Sequence, residues 1–96
     1  MSKYSIFKQP ADVMQELADK TAVLRKQQGY SQAELARRSG VSLGSLRRFE
    51  QTGQIALEKL LMVLHILDRL TDFDEVLQPQ EDMKEVEKLF SKEIEL

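Results

Sequence analysis

The chain has 96 residues, 42% hydrophobic and 31% charged, with 14 Lys and Arg against 16 Asp and Glu for a net charge of −2. That suffices for one domain with a modest core, and the absence of cysteine excludes a disulfide framework and a thiolate zinc site. No apolar run approaches the about 18 residues of a membrane helix, and the N-terminus lacks the apolar stretch of a signal peptide, so the expected location is the cytoplasm.

Residues 1–10 read as an N-terminal arm, in which Tyr4, Ile6 and Phe7 alternate with Ser5 and Lys8, a pattern for extended chain or for apolar packing on a partner. Gln9-Pro10-Ala11-Asp12 starts a helix, with Pro in the first turn and Val13, Leu17, Thr21 and Leu24 recurring at helical spacing. This helix runs to about Gln28 and ends at Gly29. Tyr30 packs as a wedge beside Ser31, which caps a second helix over about Gln32 to Ser39.

Gly40 supplies the left-handed residue that ends that helix, and Ser42 caps the next. Ala36 keeps only a methyl group where the two helices approach most closely, while Leu35, Val41, Leu46 and Phe49 are spaced to face one core. Leu43, Gly44, Arg47 and Arg48 remain outward, so residues 42–48, with Ser42 and Ser45 at their start, form a surface that fits a B-form major groove about 12 Å wide. Two short helices, a tight turn and cations on the second helix are the layout of a DNA-reading helix-turn-helix.

After Gly53, the residues Leu57, Leu60, Leu61, Val63, Leu64 and Leu67 form a broad apolar surface, which predicts a fourth helix as the most buried element. Phe73, Val76 and Leu77 indicate a last short helix ahead of Pro79. Beyond it, Met83, Val86, Leu89, Phe90 and Ile94 mark an amphipathic helix with a charged reverse face, suited to dimerisation or to binding a partner. The expected architecture is all-α: a compact five-helix domain over residues 11–78, followed by an acidic amphipathic helix over residues 79–96.

Charge is distributed unevenly. Residues 1–70 hold 11 Lys or Arg and 7 Asp or Glu, net +4, whereas residues 71–96 hold 3 and 9, net −6. Between residues 20 and 48, Lys20, Arg25, Lys26, Arg37, Arg38, Arg47 and Arg48 face only Glu34, which marks the segment for phosphate contact. Arg47 and Arg48 carry direct readout, because an Arg bidentate to guanine is worth about 1–3 kcal/mol of discrimination. Gln32 stands beside helix N-terminal amides, where a phosphate is well placed, and Arg38 is a further candidate for phosphate contact.

Catalysis finds no support. The serines lack a histidine base, no glycine-rich phosphate loop is present, and the carboxylates show no metal-ligand spacing. His65, the single histidine, sits among apolar neighbours in the fourth helix. No cofactor and no metal are expected.

From Leu24 to about Leu70 the chain resembles the Cro/CI-type helix-turn-helix family, on Gln32 opening the motif, Ala36 at the small position, Gly40 in the turn, Leu46 in the core and Glu50 near the close. The resemblance implies that Gln32 holds a phosphate, that Leu43, Gly44 and Arg48 touch bases, and that Arg25 pairs with Glu50 as a structural ion pair. Leu43 and Gly44 depart from the hydrogen-bonding residues usual at the two early reading positions. Leu43 is limited to apolar contact with a thymine methyl and Gly44 to close backbone approach. A single helix in one groove rarely reads enough bases, and a palindromic operator repeats the site one turn, about 34 Å, away, so a homodimer is expected.

A narrower resemblance rests on the opening Tyr-Ser ahead of a Pro-begun helix, on Leu-Arg-Lys-Gln-Gln-Gly-Tyr-Ser-Gln-Ala-Glu-Leu-Ala, and on the tail after helix four. These are similar to the DNA-binding antitoxin component of modules whose toxin is a HipA-type kinase. That implies an autorepressor with the kinase toxin as a partner. The alternatives are a stand-alone or phage-like repressor and a protein-interaction scaffold with this fold.

Overall fold

Pro10 opens helix α1, Pro10–Gln27, at a position where its missing N–H is no loss, and the Gln9 N–H donates to Asp12 Oδ2 at 2.9 Å. The structure is a computed structural model in which residues 8–80 are described. The amphipathic helix expected over residues 79–96 therefore lies, apart from residues 79 and 80, outside the described residues, as do residues 1–7 of the expected arm.

α1 buries Ala18, Thr21 and Arg25, while Val13 and Leu17 are 42% and 37% exposed. The apolar spacing of Val13, Leu17, Thr21 and Leu24 thus locates the helix and the inward placement of Thr21 and Leu24, but not that of its first half. Of the three buried positions only Thr21 lies on the expected stripe; Ala18 and Arg25, a methyl group and a guanidinium, lie off it, and the two polar side chains need partners. Each is satisfied where it sits: Thr21 Oγ1 donates to the Leu17 carbonyl at 2.7 Å, and Arg25 is held by a carboxylate described below.

Ser31 caps α2, Gln32–Ser39, its Oγ accepting the Glu34 N–H at 3.0 Å. Gly40 closes α2 in the left-handed conformation, φ 77°, its N–H donating to the Ala36 carbonyl at 3.0 Å. Two residues later Ser42 caps α3, Leu43–Thr52, accepting the Ser45 N–H at 3.1 Å. Gly53 ends α3 and then presses on α1: a Cβ there would stand 2.8 Å from the Met14 carbonyl carbon, so no other residue permits this backbone contact.

α4, Leu57–Ile66, turns Leu60, Val63 and Leu64 inward, with Leu67 just past its end. The outer side of α4 is open, Leu57 being 63% exposed. Of the apolar surface expected of it, Leu60, Val63, Leu64 and Leu67 are buried, Leu61 is half-buried and Leu57 is exposed. A 3-10 helix follows over Leu70–Glu75 and lays Phe73 against the core. Val76 and Leu77, expected in that last helix, lie beyond its end and exposed.

The described residues form an all-α fold without strands. Phe49, Leu35, Leu46, Leu67 and Val63 are its largest fully buried side chains, with Ala18, Ala36, Val41, Leu60 and Leu64 around them. α1 packs on α3, and α2 packs on both α3 and α4. Among the described residues no buried side-chain nitrogen or oxygen lacks a partner, and no helix is long and apolar enough to cross a membrane.

Candidate nucleic-acid interface

α3 has two faces of opposite character. Leu46 and Phe49 are sunk into the core, 0% and 1% exposed, whereas Gly44, Arg47 and Arg48 lie on the solvent side. The spacing of Gly44 to Arg47 and Arg48, three and four residues, places all three on one outward strip. At its start Ser42 Oγ donates to Ser45 Oγ at 2.9 Å besides capping the helix, so the two hydroxyls hold one another. Ser42 is exposed and Ser45 half-buried.

Leu43 departs from the outward placement expected of it. It is half-buried and packs against the core, where it also lines an open crevice of about 460 Å³ shared with Ala33, Ala36 and Val41. An apolar side chain at the first turn gains more by leaning on that crevice than by standing in water. Part of its surface stays free beside Gly44.

The fixed point of the arrangement is Glu50, near the end of α3. Its carboxylate takes a bidentate pair from Arg25, Nε to Oε2 at 2.8 Å and Nη2 to Oε1 at 3.1 Å, with the two side chains 9% and 10% exposed. Gln32 Nε2 donates to the same Oε1 at 2.9 Å, and Arg25 Nη1 donates to the Tyr30 carbonyl at 2.9 Å. One carboxylate therefore joins α1, the first residue of α2 and the last turn of α3. Gln32, read from the sequence as a phosphate ligand, gives one amide N–H to this hub and keeps the other.

Arg38 is differently occupied. Its Nε donates to Glu34 Oε2 at 2.6 Å, Arg37 reaches the same oxygen, and the Arg38 guanidinium lies 5.3 Å from the centroid of the Tyr30 ring, within cation–π range. The hydrogen bond from Arg38, ahead of that from Arg37, holds the Glu34 carboxyl below its ordinary value despite some desolvation, and Glu34 in turn raises Arg38. These two cations are thus partly neutralised by their neighbour.

The same holds around the fold. Arg25 pairs with Glu50, Arg37 and Arg38 with Glu34, and Arg69 with Asp72. Of the six arginines, only Arg47 and Arg48 lack a carboxylate partner among the described residues. The cationic excess counted along residues 20–48 is therefore smaller in space than in sequence, and its unneutralised arginines stand on the outer face of α3. Arg48 has instead a neutral partner: its Nη2 donates to Gln54 Oε1, in the loop after Gly53. Residue spacing gives no signal for Gln54, which lies outside the motif and is brought back to α3 by the turn at Gly53.

Residues 22–73, more than half of the chain, match the family described as Helix-turn-helix. No curated protein and no solved structure matches the chain.

Proposed function

Because the chain belongs to the Cro/CI-type helix-turn-helix family of DNA-binding transcriptional regulators, we propose that it is a sequence-specific autorepressor that binds a palindromic operator as a homodimer. In this reading residues 11–78 are the DNA-binding domain, and residues 79–96 hold a second copy or a protein partner. The observation that carries it is the unneutralised Arg47 and Arg48 on the exposed strip of a capped, core-anchored helix. Guanidinium groups free of carboxylates retain their forks for guanine edges and phosphates.

The roles follow from reach. Arg47 and Arg48 read bases, Gly44 lets the helix backbone come close, and Leu43 offers its remaining apolar surface to a thymine methyl. Ser42 and Ser45, at the positive end of α3, and Gln32 and Arg38, beside it, sit against phosphates. A dimer sets two such helices about 34 Å apart, one turn of duplex.

Within that function we infer an antitoxin of a HipA-type kinase module, supported by the resemblance of residues 4–36 and by the acidic segment after residue 70, whose net charge of −6 turns it away from DNA and leaves it for protein. Fluorescence anisotropy of the purified chain on the DNA upstream of its own gene, against scrambled DNA at two salt concentrations, tests the core reading. Tighter binding to the upstream duplex that weakens with salt is the expected result. Equal or absent binding on both duplexes overturns autorepression and favours an interaction scaffold. Co-elution with a kinase encoded beside it tests the antitoxin role.

A further inference from the structure

We propose that Gln54 is a specificity-determining residue of the DNA interface, positioning Arg48 for base readout while leaving its charge intact; the inference rests on the DNA-binding function above.

Gln54 is an exposed loop residue, yet both of its neighbours are fixed. Gly53 is buried against the α1 backbone, and Ile55 packs on the core. Thr52 ties the loop back to the helix: its Oγ1 donates to the Arg48 carbonyl at 2.7 Å and accepts the Gln54 N–H at 3.2 Å. The main chains of Arg48 and Gln54 are thereby locked to one hydroxyl, and their side chains close the ring when Arg48 Nη2 donates to Gln54 Oε1.

The chemistry of the partner matters. Arg25, Arg37, Arg38 and Arg69 are each oriented by a carboxylate, which fixes the guanidinium but cancels its charge. A carboxamide fixes it with a neutral acceptor. Arg48 loses one of five N–H donors and no charge, so the bidentate edge needed for guanine O6 and N7 remains. Gln54 Nε2 contributes two further N–H groups that have no partner among the described residues. The reading surface accordingly extends one side chain beyond the end of α3, onto a residue that the helix-turn-helix spacing does not reach. Holding a long side chain in its reading conformation lowers the entropy lost on binding, and it penalises base pairs that need another conformation.

The test uses the full chain. Selection from a random duplex library defines the preferred site, and single-base-pair variants of that site are then titrated with wild type, Arg48→Ala, Gln54→Ala and Gln54→Glu. Arg48→Ala identifies the base pair that Arg48 reads. Gln54→Ala is expected to lower discrimination at that pair by about tenfold, with affinity for scrambled DNA, salt slope and thermal unfolding unchanged. Gln54→Glu, which keeps the hydrogen bond but neutralises the guanidinium, is expected to weaken binding to all duplexes and to reduce the salt slope by about one. Full discrimination in Gln54→Ala, or a lowered unfolding temperature that accounts for its loss, overturns the inference. Wild-type affinity in Gln54→Glu overturns it as well. A wild-type chain that selects no site refutes sequence-specific binding itself, whatever the Gln54 variants do.

Discussion

Gly44 lies in ordinary helical backbone at the second position of α3, and a Cβ there meets nothing within 4 Å. The fold does not need glycine at this point, and glycine in a helix is about 1 kcal/mol less favourable than alanine. Gly44→Ala should therefore stabilise the domain by about 0.5–1 kcal/mol, seen as a higher midpoint of thermal unfolding, while weakening operator binding because a methyl group enters the closest gap to DNA. Operator affinity equal to wild type would remove Gly44 from the interface. Glu50 should behave in the opposite way. Glu50→Ala leaves the buried Arg25 guanidinium without its counter-charge, which should lower stability by about 3 kcal/mol in a urea titration. Arg25 and Glu50 were legible in the sequence only through family resemblance, since nothing in their separation of 25 residues signals contact. Arg48 was legible because its spacing from the buried Leu46 and Phe49 sets it outward. Its tie to Gln54 was not, since that bond depends on how a glycine turn redirects the chain.

At the scale of the helices, the boundaries follow from residues whose preferences are strong and local. Pro10, Ser31, Gly40, Ser42 and Gly53 mark starts and stops that the structure keeps. The inner face of α1 was read correctly at Thr21 and Leu24 and missed at Ala18 and Arg25, because a methyl group and a paired arginine carry little apolar signal and an apolar pattern cannot report satisfaction by hydrogen bonds. Four of the six apolar residues read for the fourth helix are buried, whereas Leu57 is exposed, because a leucine on an outward turn looks the same in sequence as a leucine in a core. Gly53 joins α3 to α1 at backbone distance, so Gly53→Ala combines a left-handed residue with an overlap against Met14 and should destabilise the fold by about 2–4 kcal/mol in chemical denaturation. On α2, Glu34 restrains two cations. Its carboxyl is held low by Arg38 first and Arg37 next, so the contribution of these pairs is present above the ordinary value and is lost as pH falls through the lowered one. Glu34→Gln should release both arginines at neutral pH and raise affinity for scrambled DNA, with a salt slope steeper by up to about 0.9 for each new phosphate contact. An unchanged salt slope would place Arg37 and Arg38 away from the duplex.

For the whole molecule, under the proposed function the uneven charge of the sequence sets its orientation: the net +4 of residues 1–70 attracts an anionic duplex and the net −6 of residues 71–96 is repelled by it. Among the described residues, every buried core residue lies between Ala18 and Leu67. A chain ending at Pro79 should accordingly unfold as cooperatively as the full protein while losing self-association or partner capture. Sedimentation showing the same oligomer before and after truncation, with partner binding intact, would assign those roles elsewhere. The two faces of α3 have a consequence for the history of such a domain. Leu46 and Phe49 hold the helix in place, whereas Gly44, Arg47, Arg48 and Gln54 take no part in the core. Under the proposed function, mutation can rewrite the target through those four positions without passing through an ancestor that fails to fold. Duplicated copies of the gene are then free to drift apart in the promoters they silence, and exchanging the same four residues between copies is the shortest route to redirecting one.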